Sequence, residues 1–227
     1  MNLHAALSAD ARTWLDAATD KVRADPSMIR VLFPAVRRRC GRDRLDENWT
    51  IDEAARAQLL SAVSPDALEA ELAGLYRHGD RAEQRAVLRA LELVDAGQTG
   101  LGLVREALRS NDNALIEAAL GPFGSGALPI EEYRQAVLKC VFSEIPLAGI
   151  GGLTDRADGE LARMLADFAC ERVAAGRELP ADIWPVVCAF PADTAPARAA
   201  IQAELTSPVP ERQAAATRAV AHLTETS

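Results

Sequence analysis

Three histidines are the residues of this chain best suited to acid–base catalysis at neutral pH. His4 and His222 lie near the two ends of the sequence, and His78 directly precedes Gly79. A histidine before a glycine is typical of a helix end, where a cation interacts favourably with the helix dipole. No serine or cysteine accompanies these histidines in a familiar catalytic motif. The histidines therefore predict no catalytic triad.

The four cysteines are too far apart in sequence to form a familiar metal or redox motif. They are Cys40, Cys140, Cys170 and Cys188, and no Cys-x-x-Cys pair occurs. This spacing predicts neither a zinc site nor a disulfide framework. Because free thiols are typical of a reducing compartment, we expect a cytoplasmic protein without a metal or other cofactor.

Lys139 is unusual because the chain has only two lysines, the other being Lys21. Helical spacing places Lys139 on a polar face with Gln135, opposite a stripe that includes Tyr133 and Val137. An enclosed lysine amine can act as a base or a nucleophile. A solvated polar face explains the same pattern, so the sequence leaves both interpretations open.

Asp167 and Glu171 are two carboxylates four residues apart on one predicted helix face. Like charges at this spacing repel each other unless a cation lies nearby, and Arg163 is close enough in sequence to supply one. The arrangement predicts either a solvated row of ion pairs or a cluster that contacts a ligand.

Two glycine-rich segments, 121–126 and 145–152, are predicted to be loops. Glycine-rich loops can hold phosphate groups, but neither segment has the spacing of a nucleotide-binding motif. We interpret both segments as connectors between helices.

The composition favours helices over sheets. The chain has 227 residues, of which 49% are hydrophobic but only 4% aromatic. Its abundant alanine and leucine suit close helix packing, whereas strands prefer β-branched and aromatic residues. A net charge of −8 disfavours a nucleic-acid partner. The longest uncharged run, 118–130, is too short to span a membrane, and residues 1–20 do not resemble a signal peptide.

Helix signals recur at short intervals along the chain. Thr50 with Glu53 and Asp80 with Glu83 form capping-box patterns, and apolar residues three or four apart follow each of them. The same reasoning predicts helices over 50–63, 65–78, 80–96, 101–109, 113–120, 130–141, 158–175 and 180–190, and two further helices in the tail that meet at 207–210.

Many short helices with short connections predict an all-α fold. We interpret it as an α–α superhelix, an irregular HEAT- or armadillo-like helical stack, because no single repeat period runs along the whole chain. Residues 1–227 are predicted to form a single all-helical domain, with a division near 121–130 as the alternative. The tail, 193–227, most resembles HEAT repeats.

An ordered series of short segments runs from Arg109 to Phe190. It comprises RSN at 109–111, YRQAVLK at 133–139, DGELARML at 158–165, ER at 171–172, AAGR at 174–177 and Trp184. In this order the segments resemble the EboA family over 109–190, whereas the N-terminal hundred residues are similar only in helical character. The family pattern has asparagine where this chain has Arg134 and Asp158, and histidine where it has Cys170, which indicates a divergent member.

The resemblance implies a protein encoded in the ebo gene cluster, which is associated with moving a secondary-metabolite precursor out of the cytoplasm. It implies a pathway and no established reaction. The residues that fit the family pattern are our predicted binding residues: Asn111, Gln135, Lys139, Arg163, Glu171 and Arg177.

Three functions follow as hypotheses. The first is a non-catalytic helical adaptor or binding protein in metabolite traffic, with protein partners from the same gene cluster, a membrane-bound one among them, or a small apolar metabolite as ligand. The second is an enzyme acting on a cyclitol or sugar-derived intermediate, which requires Lys139 and Glu171 to share one pocket. The third is a structural subunit of an oligomeric assembly.

Overall fold

The computed structural model describes residues 3–225. Helices make up 79% of these described residues, and no strand occurs within residues 3–225, where the β-type pairing is limited to an isolated bridge between Arg44 and Thr50. The predicted all-α fold is therefore confirmed. No helix in this part of the chain combines the length and apolar character needed to cross a membrane. A HEAT- or armadillo-like stack stays a prediction.

The chain divides into two compact units, Met1–Leu128 (unit 1) and Pro129–Ser227 (unit 2). The described part of unit 1 contains nine α-helices and two 3₁₀ turns, Pro26–Met28 and Leu91–Leu93. The α-helices are α1 Leu3–Ala6, α2 Ala9–Ala24, α3 Ile29–Cys40, α4 Ile51–Ser61, α5 Pro65–His78, α6 Arg81–Ala90, α7 Gly97–Arg109, α8 Asn113–Ala119 and α9 Pro122–Ala127.

The core of unit 1 is built around α4 and α6. Helix α4 packs against α2, α3 and α6, while α8 packs against α6 and α7. Phe33, Leu59, Leu60 and Ile116 are fully buried there, and each such side chain contributes about 1.5–3 kcal/mol through its removal from water. This apolar packing holds α3, α4, α5 and α6 in the positions that the site described below requires.

The described part of unit 2 contains six α-helices and three 3₁₀ turns, Leu147–Gly149, Ala181–Ile183 and Glu204–Thr206. The α-helices are α10 Ile130–Phe142, α11 Leu153–Arg156, α12 Gly159–Ala174, α13 Trp184–Ala189, α14 Pro191–Ala203 and α15 Pro210–Glu225.

Helix α12 is the centre of unit 2, since it packs against α10, α13, α14 and α15. The predicted helix over 158–175 corresponds to α12. Its N-terminus is capped, because the Asp158 carboxylate accepts the Leu161 backbone N–H at 2.9 Å, and its apolar stripe of Leu161, Leu165 and Phe168 is buried. The tail also forms two helices on either side of 207–210, as predicted.

The prediction of a loop at 121–126 was wrong, because Pro122–Ala127 is the short helix α9. Gly124 of α9 and Gly100 of α7 allow close packing around this helix. A Cβ atom at Gly124 would lie 1.8 Å from the Ala119 carbonyl oxygen, and one at Gly100 would lie 2.9 Å from the Phe123 ring. A glycine therefore marks a close approach between helices here.

The predicted helix over 80–96, with its end before Gly97, was also wrong at its C-terminal end. The α6 helix ends at Ala90 and a 3₁₀ turn follows, whereas Gly97 begins α7 with a φ of +47°. The positive φ lets the chain reverse direction before α7, which is a role that glycine fills without steric strain.

Candidate functional site

Three charged residues of α4 are buried in the core of unit 1. Asp52, Glu53 and Arg56 are 6%, 3% and 1% exposed, although charged side chains are almost never this deeply buried unless they are paired. Arg56 Nη1 donates to Asp52 Oδ2 at 2.9 Å, and its Nε donates to the Phe33 carbonyl oxygen at 3.3 Å. The guanidinium also lies over the Phe33 ring, 5.3 Å from its centroid. Arg56 thus ties α4 to α3.

Helix α6 supplies the other charges of this cluster. Glu53 Oε1 lies 3.3 Å from Arg85 Nη1 and 3.6 Å from Arg89 Nε, and Glu83 Oε1 lies 3.9 Å from Arg56 Nη2. The three carboxylates balance the three guanidinium groups, so the cluster is electrically neutral. We call it the charged network: Asp52, Glu53, Arg56, Glu83, Arg85 and Arg89.

A cavity of about 390 Å³ in unit 1 shares Glu83 with the charged network. We call it the unit-1 cavity. Its apolar wall comes from Pro34 of α3 and from Ala70, Gly74 and Leu75 of α5, and its polar side chains are Arg30, His78 and Glu83. An apolar wall with a few fixed polar groups is the usual composition of a small-molecule site, and this volume lies near the lower end of the usual range.

Arg30 is held in a fixed orientation at this cavity. Its Nε and Nη2 donate to the two carboxylate oxygens of Glu71 at 2.9 and 2.8 Å. The Glu71 side chain is 6% exposed and that of Arg30 is 66% exposed. The hydrogen bonds and charge of Glu71 raise the pKa of Arg30. Nη1 has no hydrogen bond among the described residues and remains available to a ligand.

Glu83 is held equally firmly. Its Oε2 accepts the Asp80 backbone N–H at 3.1 Å, and its own N–H donates to Asp80 Oδ1 at 2.9 Å, which completes the predicted capping box. The approach of α5 depends on Gly79, where a Cβ atom would lie 2.5 Å from the Leu75 carbonyl oxygen and 2.9 Å from Glu83 Cβ. The cavity therefore presents a fixed cation and a fixed carboxylate beside an apolar surface.

Such a cavity can bind a small molecule that has an apolar body and a polar or anionic group. It offers no cluster of metal ligands: within residues 3–225, no group of three or more histidine, cysteine, aspartate or glutamate side chains is placed to hold a metal ion.

A comparison with protein families connects this fold to metabolite traffic. The family described as metabolite traffic protein EboA matches residues 42–188 of the 227, which is more than half of the chain. The chain belongs to the EboA family. Neither the curated proteins nor the solved structures contain a match to it.

The EboA match corrects one expectation. Residue-level similarity was expected only over 109–190, but the match begins at residue 42 and so includes α4, α5 and α6. Most of the unit-1 cavity and all of the charged network therefore lie within the EboA region, whereas Arg30 and Pro34 precede it.

The six predicted binding residues occupy different environments. In unit 1, Asn111 is exposed in the connection between α7 and α8; in unit 2, Gln135 is exposed and Lys139 is half-buried on α10. Arg163 forms ion pairs with Glu160 and Asp167 at 2.7 Å on the exposed face of α12. The remaining two are Glu171, exposed on the same helix, and Arg177, which lines a cavity of unit 2. Their role as a binding set stays a prediction.

Arg134 and Asp158, two positions at which the sequence analysis expected a departure from the family pattern, contact each other. Arg134 Nη2 donates to Asp158 Oδ2 at 2.6 Å, and Arg134 Nε lies 3.1 Å from both carboxylate oxygens. The Arg134 guanidinium, and then the Leu161 backbone N–H, lower the pKa of Asp158. An ion pair thus occupies both positions, and it fixes α10 to the N-terminus of α12.

Sequence reasoning missed the unit-1 cavity. It identified Glu53 and Glu83 as capping residues but not their ion pairs with Arg85 and Arg56. Arg30 and Glu71 are 41 residues apart, and no local motif connects them. The available signal was an arginine within the apolar run of α4, with an aspartate four residues before it.

Proposed function

We propose that this EboA-family protein is a non-catalytic binding protein of metabolite traffic, and that it holds a small metabolite in the unit-1 cavity. The unit-1 cavity itself is the observation that carries the proposal. It combines an apolar wall with a fixed guanidinium and a fixed carboxylate, and fixed polar groups give a site specificity at little entropic cost.

The lining indicates the chemistry of the ligand. Arg30 Nη1 suits an acceptor or anionic group, and Glu83 suits a hydroxyl or amino donor. Pro34, Ala70 and Leu75 suit an apolar body. We expect the ligand to be a precursor of a secondary metabolite, held during its biosynthesis or export and transferred to a protein partner from the same gene cluster, a membrane-bound one among the candidates.

The cytoplasm is the compartment that we propose for this transfer. Its support is that all four cysteines are free thiols, which a reducing compartment maintains.

Filling the unit-1 cavity tests the proposal. Gly74 lies inside α5, lines the cavity, and a Cβ atom there would meet nothing within 4 Å. Gly74→Leu should therefore fold normally and occupy the cavity. Gly102→Leu is the matched control, because Gly102 lies inside α7, also has open space around its Cβ position and is exposed. Both changes improve helix propensity by up to about 1 kcal/mol.

The probe is 1-anilinonaphthalene-8-sulfonate, which combines aromatic rings with an anionic group, followed by fluorescence titration. We expect saturable binding to the wild type and to Gly102→Leu, and affinity at least about tenfold weaker for Gly74→Leu, the loss expected when about 1.4 kcal/mol of contact is removed. The three proteins should also be mixed with a small-molecule extract of bacterial cells and examined by native mass spectrometry. The wild type and Gly102→Leu should retain more bound small molecule than Gly74→Leu. Equal binding by all three proteins, or binding by none, would contradict the proposal.

A further inference from the structure

A second cavity, within unit 2, is lined by two arginines and one histidine among apolar residues. Its volume is about 220 Å³, and Arg177, Arg218 and His222 line it together with Glu178 and Leu179. We call it the unit-2 cavity. The lining carries two permanent positive charges against one negative charge, and an imidazole that can donate a further hydrogen bond. This is a local excess of positive charge in a chain whose net charge is −8.

The position of Arg177 is set by the end of α12. The Gly176 N–H donates to the Val173 carbonyl at 2.9 Å, and the Arg177 N–H donates to the Arg172 carbonyl at 2.8 Å. These two bonds form a Schellman motif, whose C′ residue takes a left-handed conformation. Gly176 has the required φ of +67°. The backbone of Arg177 is thus fixed at the edge of the cavity.

Two further lining side chains come from one face of α15. Arg218 and His222 are four residues apart, so their side chains lie above each other along the helix. The His222 ring stacks on Trp184, with 5.9 Å between the ring centroids and 18° between the planes. Trp184 is 1% exposed, and its Nε1 is a buried donor without a hydrogen-bond partner among the described residues. The stack orients the imidazole and leaves an unsatisfied indole N–H beside it.

Arg177 and Arg218 differ from other arginines of the protein in how their charges are balanced. Arg30, Arg56 and Arg134 each bond a carboxylate at 2.6–2.9 Å. Within the part of the chain that the structure describes, neither Arg177 nor Arg218 has an ion pair. Both side chains are exposed, so water partly screens the repulsion between their guanidinium groups, and an anion between them would accept charge-assisted hydrogen bonds from both.

We propose that the unit-2 cavity binds a small oxyanion, namely a molecule with a carboxylate or phosphate group. The two arginines bind the anionic group, which then lies beside the His222 ring. Leu179 limits the size of the body that accompanies it. This site goes beyond the proposed function and does not depend on it, because Gly74 and the oxyanion site lie in different units.

Titration of the full chain with inorganic phosphate, and separately with acetate, tests the proposal. Both series are run at fixed pH and at constant ionic strength, with chloride as the balancing anion. The readouts are the His222 imidazole resonance and the Trp184 indole N–H resonance in NMR spectra. The variants are Arg177→Gln and Arg218→Gln. Arg212→Gln is the control, because Arg212 is an exposed arginine of α15 that does not line the cavity.

We expect saturable shifts of both resonances with at least one of the two anions. The Kd should rise about tenfold or more in Arg177→Gln and Arg218→Gln, the effect expected from one lost charge-assisted hydrogen bond, and should stay unchanged in Arg212→Gln. Tighter binding of phosphate assigns a phosphate-bearing ligand, and tighter binding of acetate assigns a carboxylate. The proposal is overturned if neither anion gives a saturable shift, or if Arg212→Gln weakens binding as much as the other two changes.

Discussion

Replacing Arg56 by methionine should destabilise unit 1 strongly. Arg56 and Asp52 have side chains that are 1% and 8% exposed, so the change leaves a carboxylate buried without its cation. Removing one partner of a buried ion pair costs about 3–5 kcal/mol. We expect a value near the lower end, about 3 kcal/mol, because Asp52 still accepts the Thr50 hydroxyl at 2.8 Å.

Arg163→Met is the matched control for this change. Arg163 also bonds an aspartate four residues away, but its side chain and that of Asp167 are 49% and 54% exposed. Exposed ion pairs contribute about 0–1 kcal/mol. The two variants therefore remove the same type of pair from opposite environments, so the difference between them measures the effect of burial.

Amide hydrogen exchange, followed peptide by peptide by mass spectrometry, measures the free energy of opening of each helix separately. Arg56→Met should lower the free energy of opening of α4 and α6, and Arg163→Met should lower that of α12 only slightly. Adding Asp52→Asn to Arg56→Met should recover part of the loss, because the buried group is then neutral. An equal or smaller loss of opening free energy in Arg56→Met than in Arg163→Met would refute the role of the buried ion pair.

Three further predictions concern pH and backbone conformation. Arg134 lowers the pKa of Asp158 in the folded protein below its value in the unfolded chain, so this pair stabilises unit 2 above about pH 4 and loses its contribution as the pH falls through the folded pKa. Asp158→Asn retains the helix cap and should make the free energy of unfolding depend less on pH in the acid range. An unchanged pH dependence would count against the ion pair. Burial raises the pKa of Tyr76 and Tyr133 to about 12, so the tyrosinate absorbance of the native protein should stay low near pH 10 and rise on unfolding. The free energy of unfolding should fall between about pH 10 and 12, because the unfolded chain loses these protons first. Half-ionisation of the tyrosines near pH 10 in the folded protein would contradict this prediction. Gly176→Ala should cost about 1–2 kcal/mol in urea unfolding, because alanine disfavours the left-handed φ of +67°, and an unchanged midpoint would show that the helix end rearranges.

The predictions that depended on local patterns were the successful ones. The helix starts at Pro65 and Gly159, and the break near 207–210, follow from caps, prolines and apolar spacing, whose effects reach only a few residues along the chain. The same rules failed at Gly97 and at Pro122–Ala127. There a glycine permits a backbone reversal or a close approach, and glycine at the sequence level does not indicate which of these it serves.

The candidate site was harder to predict than the helices. Arg163 could be paired with Asp167 from its spacing, since both lie on one helix. Arg30 and Glu71 could not be paired, because they meet only when α3 packs against α5. Arg177 entered the set of predicted residues through family resemblance, while the cavity that it lines with Arg218 depends on the packing of α12 and α15.

The amino-acid sequence by itself determined most of the secondary structure, because helix caps and apolar periodicity act over one or two turns. It also determined membership of the EboA family. Tertiary structure alone decided which charges are buried and which cations face a shared cavity. The physical reason is that burial and ion pairing depend on which helix faces meet, and those faces come from segments that are tens of residues apart in the chain.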